Sequence, residues 1–186
     1  MILKLPQTYL IGLSLLLLII AILVGRQLIK VRKDELKLIQ LEKEDSNTKE
    51  DSAKMYELAS VQLKKRLYPQ AISTLKQALK KLEGEPVEAK ALIENALGFA
   101  LAAQNDFKSA VIHYKKALSA KSDYPVALNN LGFAYQRLLK EDEAYKNYKE
   151  VLKLDPNNKT AISQIKRLER IIGKDKEDQL LDKKGF

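Results

Sequence analysis

The feature that most constrains this chain is an internal repeat. Residues 91–124, ALIENALGFALAAQNDFKSAVIHYKKALSAKSDY, align without a gap on residues 125–158, PVALNNLGFAYQRLLKEDEAYKNYKEVLKLDPNN. Leu97-Gly98-Phe99-Ala100 falls on Leu131-Gly132-Phe133-Ala134, Ala110 on Ala144, and Tyr114 on Tyr148. A fixed period of this kind means that each copy is one supersecondary unit, which buries its apolar face only by stacking on its neighbours. The spacing of apolar residues predicts two antiparallel helices per unit. Small residues at 98/132 and 110/144 let those helices approach, and Tyr114 and Tyr148 are expected to fill the space between one unit and the next. Pro156, in LDPNN, ends the second helix, because it lacks an N–H and restricts the residue before it.

A period of 34 residues with Leu-Gly, Ala and an aromatic at these offsets resembles the tetratricopeptide pattern. An earlier copy lies at 52–85, where Ala71, Leu75 and Ala78 match Ala110, Tyr114 and Ala117 at an offset of 39, so about five extra residues sit near 84–86. Its first helix departs from the pattern: Ala59 replaces the small Gly, Gln62 replaces the aromatic, and Met55 and Leu58 take the remaining core places. A terminal repeat lacks one neighbour and tolerates such irregularity. After Asn158, KTAISQIKRLERIIG puts Ala161, Ile165, Leu168 and Ile172 on one face, so residues 159–172 are expected to cap the array. The tail at 173–186 is highly charged and is expected to fray. The fold class is therefore all-α: a tetratricopeptide (TPR) α-solenoid of three repeats (52–85, 91–124 and 125–158) plus a capping helix, with one N-terminal transmembrane helix.

That transmembrane helix is expected over residues 9–28. Residues 9–25, YLIGLSLLLLIIAILVG, carry no charge, and twelve of them are Leu, Ile or Val. On an insertion scale those twelve favour the membrane by about 5 kcal/mol. With its flanks the run reaches the roughly 20 residues needed to cross hydrocarbon. A cleaved signal peptide would end in small residues, whereas this run passes into Gly25-Arg26-Gln27-Leu28 without an A-x-A pattern, so an uncleaved anchor is expected. Only Lys4 and the amino terminus precede the span; Arg26, Lys30, Arg32, Lys33 and Lys37 come after it. The positive-inside rule then keeps the repeats on the cytoplasmic or stromal side and leaves residues 1–8 as a short outer or lumenal end. No Arg/Ser-rich transit peptide precedes the anchor, which suggests synthesis in the compartment where the repeats stay. Residues 29–51 form a basic helical stalk, continuing the membrane helix through Leu28, Val31, Leu38 and Leu41, and then a polar linker at 45–51. The cations just beyond the span suit topology and anionic lipid headgroups, or contact with a membrane partner.

Composition argues against chemistry. There is no cysteine and one histidine, His113, so thiolate sites, disulfides and histidine metal sites are ruled out; His113 is assigned no role. No phosphate loop or nucleophile elbow is present, and Glu141, Asp142 and Glu143 suit the start of a helix. The chain is expected to be no enzyme, with no cofactor, no metal and no small-molecule substrate. The net charge of +9 suits an anionic partner, but only six of 33 basic residues are arginine, which counts against nucleic-acid reading.

What a repeat array offers is its concave groove, lined by the first helix of each repeat. The candidate binding residues are Tyr56, Leu63 and Lys64 in the first repeat, with Ala53 and Ser60 beside them. In the second they are Leu92, Asn95 and Phe99, with Ala102 and Ala103, and in the third Val126, Asn129, Phe133, Gln136 and Arg137. Asn95 and Asn129 share one position and are expected to hold a partner's backbone amides. Phe99 and Phe133 share another, either as anchors for a partner or as packing between repeats. A clamp for the carboxyl-terminal tail of heat-shock proteins fits poorly, since Ser60, Ala96 and Phe99 stand where its polar residues would recur.

Three segments carry a more particular likeness: MYELASVQLKKRLYPQAISTLKQALKKL (55–82), AKALIENALGFALAAQNDF (89–107) and KSDYPVALNNLGFAYQRLLKEDEAY (121–145). With the amino-terminal anchor, they make the chain resemble the photosystem I assembly-related tetratricopeptide proteins of cyanobacteria and plastids, over about residues 1–170. The resemblance implies a single-pass protein of the thylakoid membrane in a chloroplast, other plastid or cyanobacterium, with three repeats in the stroma or cytoplasm. It also implies binding to photosystem I subunits or assembly intermediates, contact with membrane lipid through the N-terminal helix, and no nucleic acid. The anchor and generic repeat alone fit equally a bacterial inner-membrane scaffold for envelope or secretion machinery. A membrane-attached chaperone on the outer face would need the repeats exported, against the flanking charges.

Overall fold

A computed structural model of the chain describes residues 4–45, 51–82 and 84–182, with side chains for most of them. Residues 1–3 of the expected outer end, 46–50 of the expected linker and 183–186 of the expected tail lie outside the described residues. The chain divides into two units, Met1–Thr48 and Lys49–Phe186.

In the first unit α1 runs unbroken over Lys4–Asp45, 42 residues, so the stalk continues the apolar helix. A stretch within it, Tyr9–Gln40, is long and apolar enough to cross a membrane, with a window of mean hydropathy 2.4 and none of it buried. At 1.5 Å per residue some 20 residues cover a 30 Å hydrocarbon core. The Ser14 hydroxyl donates to the Ile11 carbonyl at 2.8 Å, so it needs no outside partner in an apolar setting.

The second unit is a stack of helices: α2 (Ser52–Lys64) and α3 (Tyr68–Lys80), α4 (Val87–Ala103) and α5 (Phe107–Ala120), α6 (Pro125–Arg137) and α7 (Glu141–Leu154), then α8 (Lys159–Asp182). Each helix packs on the next. In addition α2 meets α4 and α4 meets α6, while no comparable contact joins α3 to α5 or α5 to α7 among the described residues. The first helices thus form the tight inner side, and the second helices the outer. α8 continues to Asp182, ten residues past the boundary expected at 172.

The core repeats with the sequence. Ala71, Ala110 and Ala144 are fully buried, as are Ala78, Ala117 and Val151. The small residue of the first helix meets the large one of the second within the same repeat. A Cβ on Gly98 would stand 2.7 Å from Tyr114 Cε1, and one on Gly132 would stand 2.9 Å from Tyr148 Cζ. Each tyrosine ring lies against the glycine of its own repeat, in addition to the expected packing, since Tyr114 also shares a buried cluster with Leu128 and Leu131 of the next repeat. The first repeat solves the same packing differently, with Ala59 and Leu75 at those two positions, both buried.

The turn between the paired helices also recurs. Arg66, Asn105 and Leu139 have φ of 60°, 65° and 57°. One residue on, the amides of Leu67, Asp106 and Lys140 donate to the carbonyls of Gln62, Leu101 and Tyr135 at 2.8, 3.0 and 2.9 Å. That is a Schellman closure, which requires a left-handed residue. At the starts of helices, Asp51 accepts from Ala53 N and Asp106 from Ser109 N, satisfying amides that have no carbonyl within the helix. The contact with Ser109 holds the Asp106 carboxyl below the usual carboxylate range.

Candidate protein-binding groove

The inner faces of α4 and α6 carry a row of large apolar side chains that the fold leaves open. Leu92 is 41% exposed, Val126 53%, and Phe99 and Phe133 45% each. They fall on one face because each pair is separated by two helical turns within its helix. Tyr56 and Leu63 on α2 are half-buried, and Lys64 is exposed at its end.

At 133 the packing between repeats is seen. The Phe133 ring meets Phe107, at the start of α5, edge to face with centres 6.2 Å apart and 74° between planes. The Arg137 guanidinium lies over Phe107 at 4.6 Å and near Phe133 at 6.0 Å. Phe133 is therefore braced by the preceding repeat on one side and open on the other. Phe107 is buried and is not singled out by the sequence; it belongs to a second helix, and nothing in its own repeat register points at the groove.

The groove amides are bonded within the array. Asn95 Nδ2 donates to the Tyr124 hydroxyl at 3.4 Å, and Asn95 Oδ1 accepts from Asn130 Nδ2 at 3.0 Å. Asn129 Nδ2 donates to Asn158 Oδ1 at 3.3 Å, the same 29-residue step one repeat later. Gln136 donates to Gln164 Oε1 at 3.1 Å and accepts from the Tyr148 hydroxyl at 2.8 Å. Asn95 thus ties the second repeat to the third, and Gln136 ties the third repeat to α8. Asn129 Oδ1 is buried without a partner. Burial, with Tyr56 close by, pushes the Tyr124 hydroxyl above its ordinary value, while the Asn95 bond pulls the other way. The recurrence of Asn95 and Asn129 was legible in the repeat alignment; their partners and the roles of Asn130 and Gln164 were not.

His113 has a partner after all. Its Nδ1 lies 2.6 Å from Glu94 Oε2, and Glu94 is buried. Glu94 occupies the core position held by Met55 and Leu128 in the other repeats, so a carboxylate sits where the pattern places an apolar side chain. The histidine supplies the hydrogen bond that a buried carboxylate needs.

Known proteins fall in line with this geometry. A tetratricopeptide repeat profile matches residues 125–158, and a TPR repeat profile matches 98–138. The ycf37 protein of Guillardia theta is 34% identical over 88% of this chain and 92% of its own length. The ycf37 protein of Cyanophora paradoxa is 33% identical over 88% of this chain and 95% of its own. The chloroplastic tetratricopeptide repeat domain-containing protein PYG7 of Arabidopsis thaliana is 31% identical over 81% of this chain, which spans 52% of that longer protein. Among solved structures, the first TPR domain of Spaghetti (RPAP3), bound there to an HSP90 peptide, superposes with a TM-score of 0.61 at 22% identity, covering 66% of this chain and 94% of that one. MamA gives a TM-score of 0.61 at 20% identity over 73% of this chain and 75% of its own. At these identities the structural likeness establishes the fold alone.

Proposed function

The chain belongs to the ycf37-type family of plastid tetratricopeptide repeat proteins, and from that premise we propose that it is a membrane-anchored, protein-binding module acting in the assembly or stabilisation of photosystem I at the thylakoid. The observation that carries the binding role is the open row of Leu92, Phe99, Val126 and Phe133 on the inner helices. Exposing half of two phenyl rings stabilises nothing in the isolated array, while covering them on a partner removes apolar surface from water. Anchoring is supported by α1, whose apolar stretch is unburied in its own unit. Arg26, Lys30 and Lys33 recur at helical spacing just after the uncharged run 9–25, on one stripe of α1. Cations so placed favour the stromal side for the remainder of the chain and suit anionic lipid headgroups.

The test is solubilisation of native photosynthetic membranes in mild detergent, density-gradient separation and immunodetection. Co-migration with photosystem I or one of its sub-complexes, retained after Phe99→Ala only at reduced yield, is the expected result. Migration solely as a small free species, even after crosslinking, refutes the photosystem role. Protease treatment of sealed thylakoids tests the orientation: the repeats are expected to be digested from the stromal side.

A further inference from the structure

We infer that the groove takes an acidic–apolar segment of a partner protein, with a partner carboxylate on the Arg137 guanidinium and an apolar side chain against Phe133. This rests on the binding role proposed for the groove and specifies the chemistry of what the groove binds. It is carried first by the geometry of Arg137, held over Phe107 at 4.6 Å and beside Phe133 at 6.0 Å. A guanidinium on an aromatic face keeps its N–H donors in its own plane, where a carboxylate takes two of them together. The ring contact also restrains a long side chain before any ligand arrives, so less rotamer freedom is lost on binding.

Charge supplies the second argument. Among the described residues no carboxylate pairs with Arg137, although the chain has 24 acidic residues. Lys64 and Arg137 occupy the same position at the ends of α2 and α6, with Ala103 between them on α4. On α8 the position equivalent to Phe133 is Arg167, which is exposed. The apolar row is therefore flanked by cations at both ends of the array. A basic segment laid here meets like charge, and a wholly apolar one covers Arg137 without pairing it; both lose affinity. An apolar core flanked by acids satisfies rings and cations together.

The experiment titrates the full-length chain, in mild-detergent micelles, into two labelled peptides. One carries Leu and Phe flanked by glutamates; its twin has every glutamate replaced by glutamine. The glutamate peptide is expected to bind about tenfold tighter or better, with the difference shrinking as salt is added. R137Q should remove most of that preference, and R137K should restore only part of it, because an ammonium lacks the fork. Equal binding of the twins, or a preference untouched by R137Q, overturns the inference. If both peptides also weaken alike in F133A, the groove survives and only its charge reading falls. If neither peptide binds while the chain still co-migrates with photosystem I, the acidic–apolar assignment is wrong and the partner is held elsewhere. An Arg137-dependent dimer displaced by the glutamate peptide would give the seat to a second copy of this chain, which also overturns the assignment to a partner.

Discussion

Replacing Gly98 by Ala tests whether the tyrosine ring sets the small position of the repeat. The new Cβ would stand 2.7 Å from Tyr114 Cε1, 2.8 Å from Cδ1 and 3.2 Å from the Ala110 carbonyl oxygen. Non-bonded carbons settle near 3.5–4.0 Å, so the ring must retreat by roughly 1 Å. It has little room, since Tyr114 is 1% exposed and lies in a cluster with Phe107, Ala110 and Leu131. Overpacking of this kind costs about 1–3 kcal/mol, and the better helix propensity of Ala offsets about 1 kcal/mol of it. Tyr114→Leu alone leaves a void and costs about 1–3 kcal/mol. Together the two changes recreate the Ala59–Leu75 pair of the first repeat, where both side chains are buried. The double variant should therefore be more stable than the sum of the singles implies, by about 2 kcal/mol. Urea unfolding of residues 49–186, monitored by far-UV circular dichroism with the m-value checked for constancy, measures each corner of the cycle. Simple additivity would mean that the two residues do not compete for space, and that the tyrosine ring is not what keeps position 98 small.

Leu139 is 81% exposed with φ of 57°, so Leu139→Asn should relieve left-handed strain without losing buried apolar area, raising thermal stability by about 1 kcal/mol, or roughly 3–5 °C in a melting experiment. Removing the histidine alone (H113A) strands the Glu94 carboxylate and should cost about 3 kcal/mol, while E94L with H113N, the pair found at the same positions of the third repeat as Leu128 and Asn147, should recover most of that in the same unfolding assay. Asp106→Ala should lose about 1 kcal/mol at neutral pH. Because the folded state lowers the Asp106 carboxyl below its ordinary 3.8, its contribution is present above that value and is lost as pH falls through the lowered one, so the gap between D106A and the parent should close in strong acid. Phe99→Ala and Phe133→Ala should weaken partner capture by about tenfold each with helix content unchanged, F133A also losing a little stability because its ring braces Phe107.

How much of this was legible in the sequence depends on where repetition constrains a residue. Ala71, Ala110 and Ala144 announce the helix crossing because nothing larger fits there, and the periodic match gave the register of every helix. The apolar row came from that register, since a position on the inner face of one first helix is on the inner face of all. What repetition does not constrain was lost. Arg137 reaches Phe107 across a repeat boundary, and no periodic offset links a first-helix end to the start of an earlier second helix. The asparagines were recognisable as recurrent but not as bonded within the array, because their partners, Tyr124 and Asn158, lie in the connections, where residue types differ. The left-handed turn residues escaped notice for a related reason: Arg66 and Leu139 do not look like the Gly or Asn that such a backbone favours. Glu94 carried a signal that went unread, an acid aligned with Met55 and Leu128 at a core position, and the structure supplies its partner, His113.

The same contrast locates function within the array. Where the helices cross, the three repeats agree or compensate, as Ala59 with Leu75 does for Gly98 with Tyr114. On the inner face they diverge. The row through Phe99 reads Ser60, Phe99, Phe133, Arg167, and the row beside it begins with Lys64, passes Ala103 and reaches Arg137. Packing cannot explain this divergence, because these side chains are largely open to solvent and a polar residue at 99 would cost the fold nothing. Apolar residues in the middle with cations outside them are a pattern addressed to something longer than one repeat. A ligand spanning α2 to α8 would meet a cation, two phenyl rings and then cations again. A shorter one confined to α4 and α6 would meet the rings and Arg137 alone. Extending the glutamate peptide at its α2 end should thus strengthen binding further, and K64Q should erase that added increment while leaving the affinity of the short peptide unchanged.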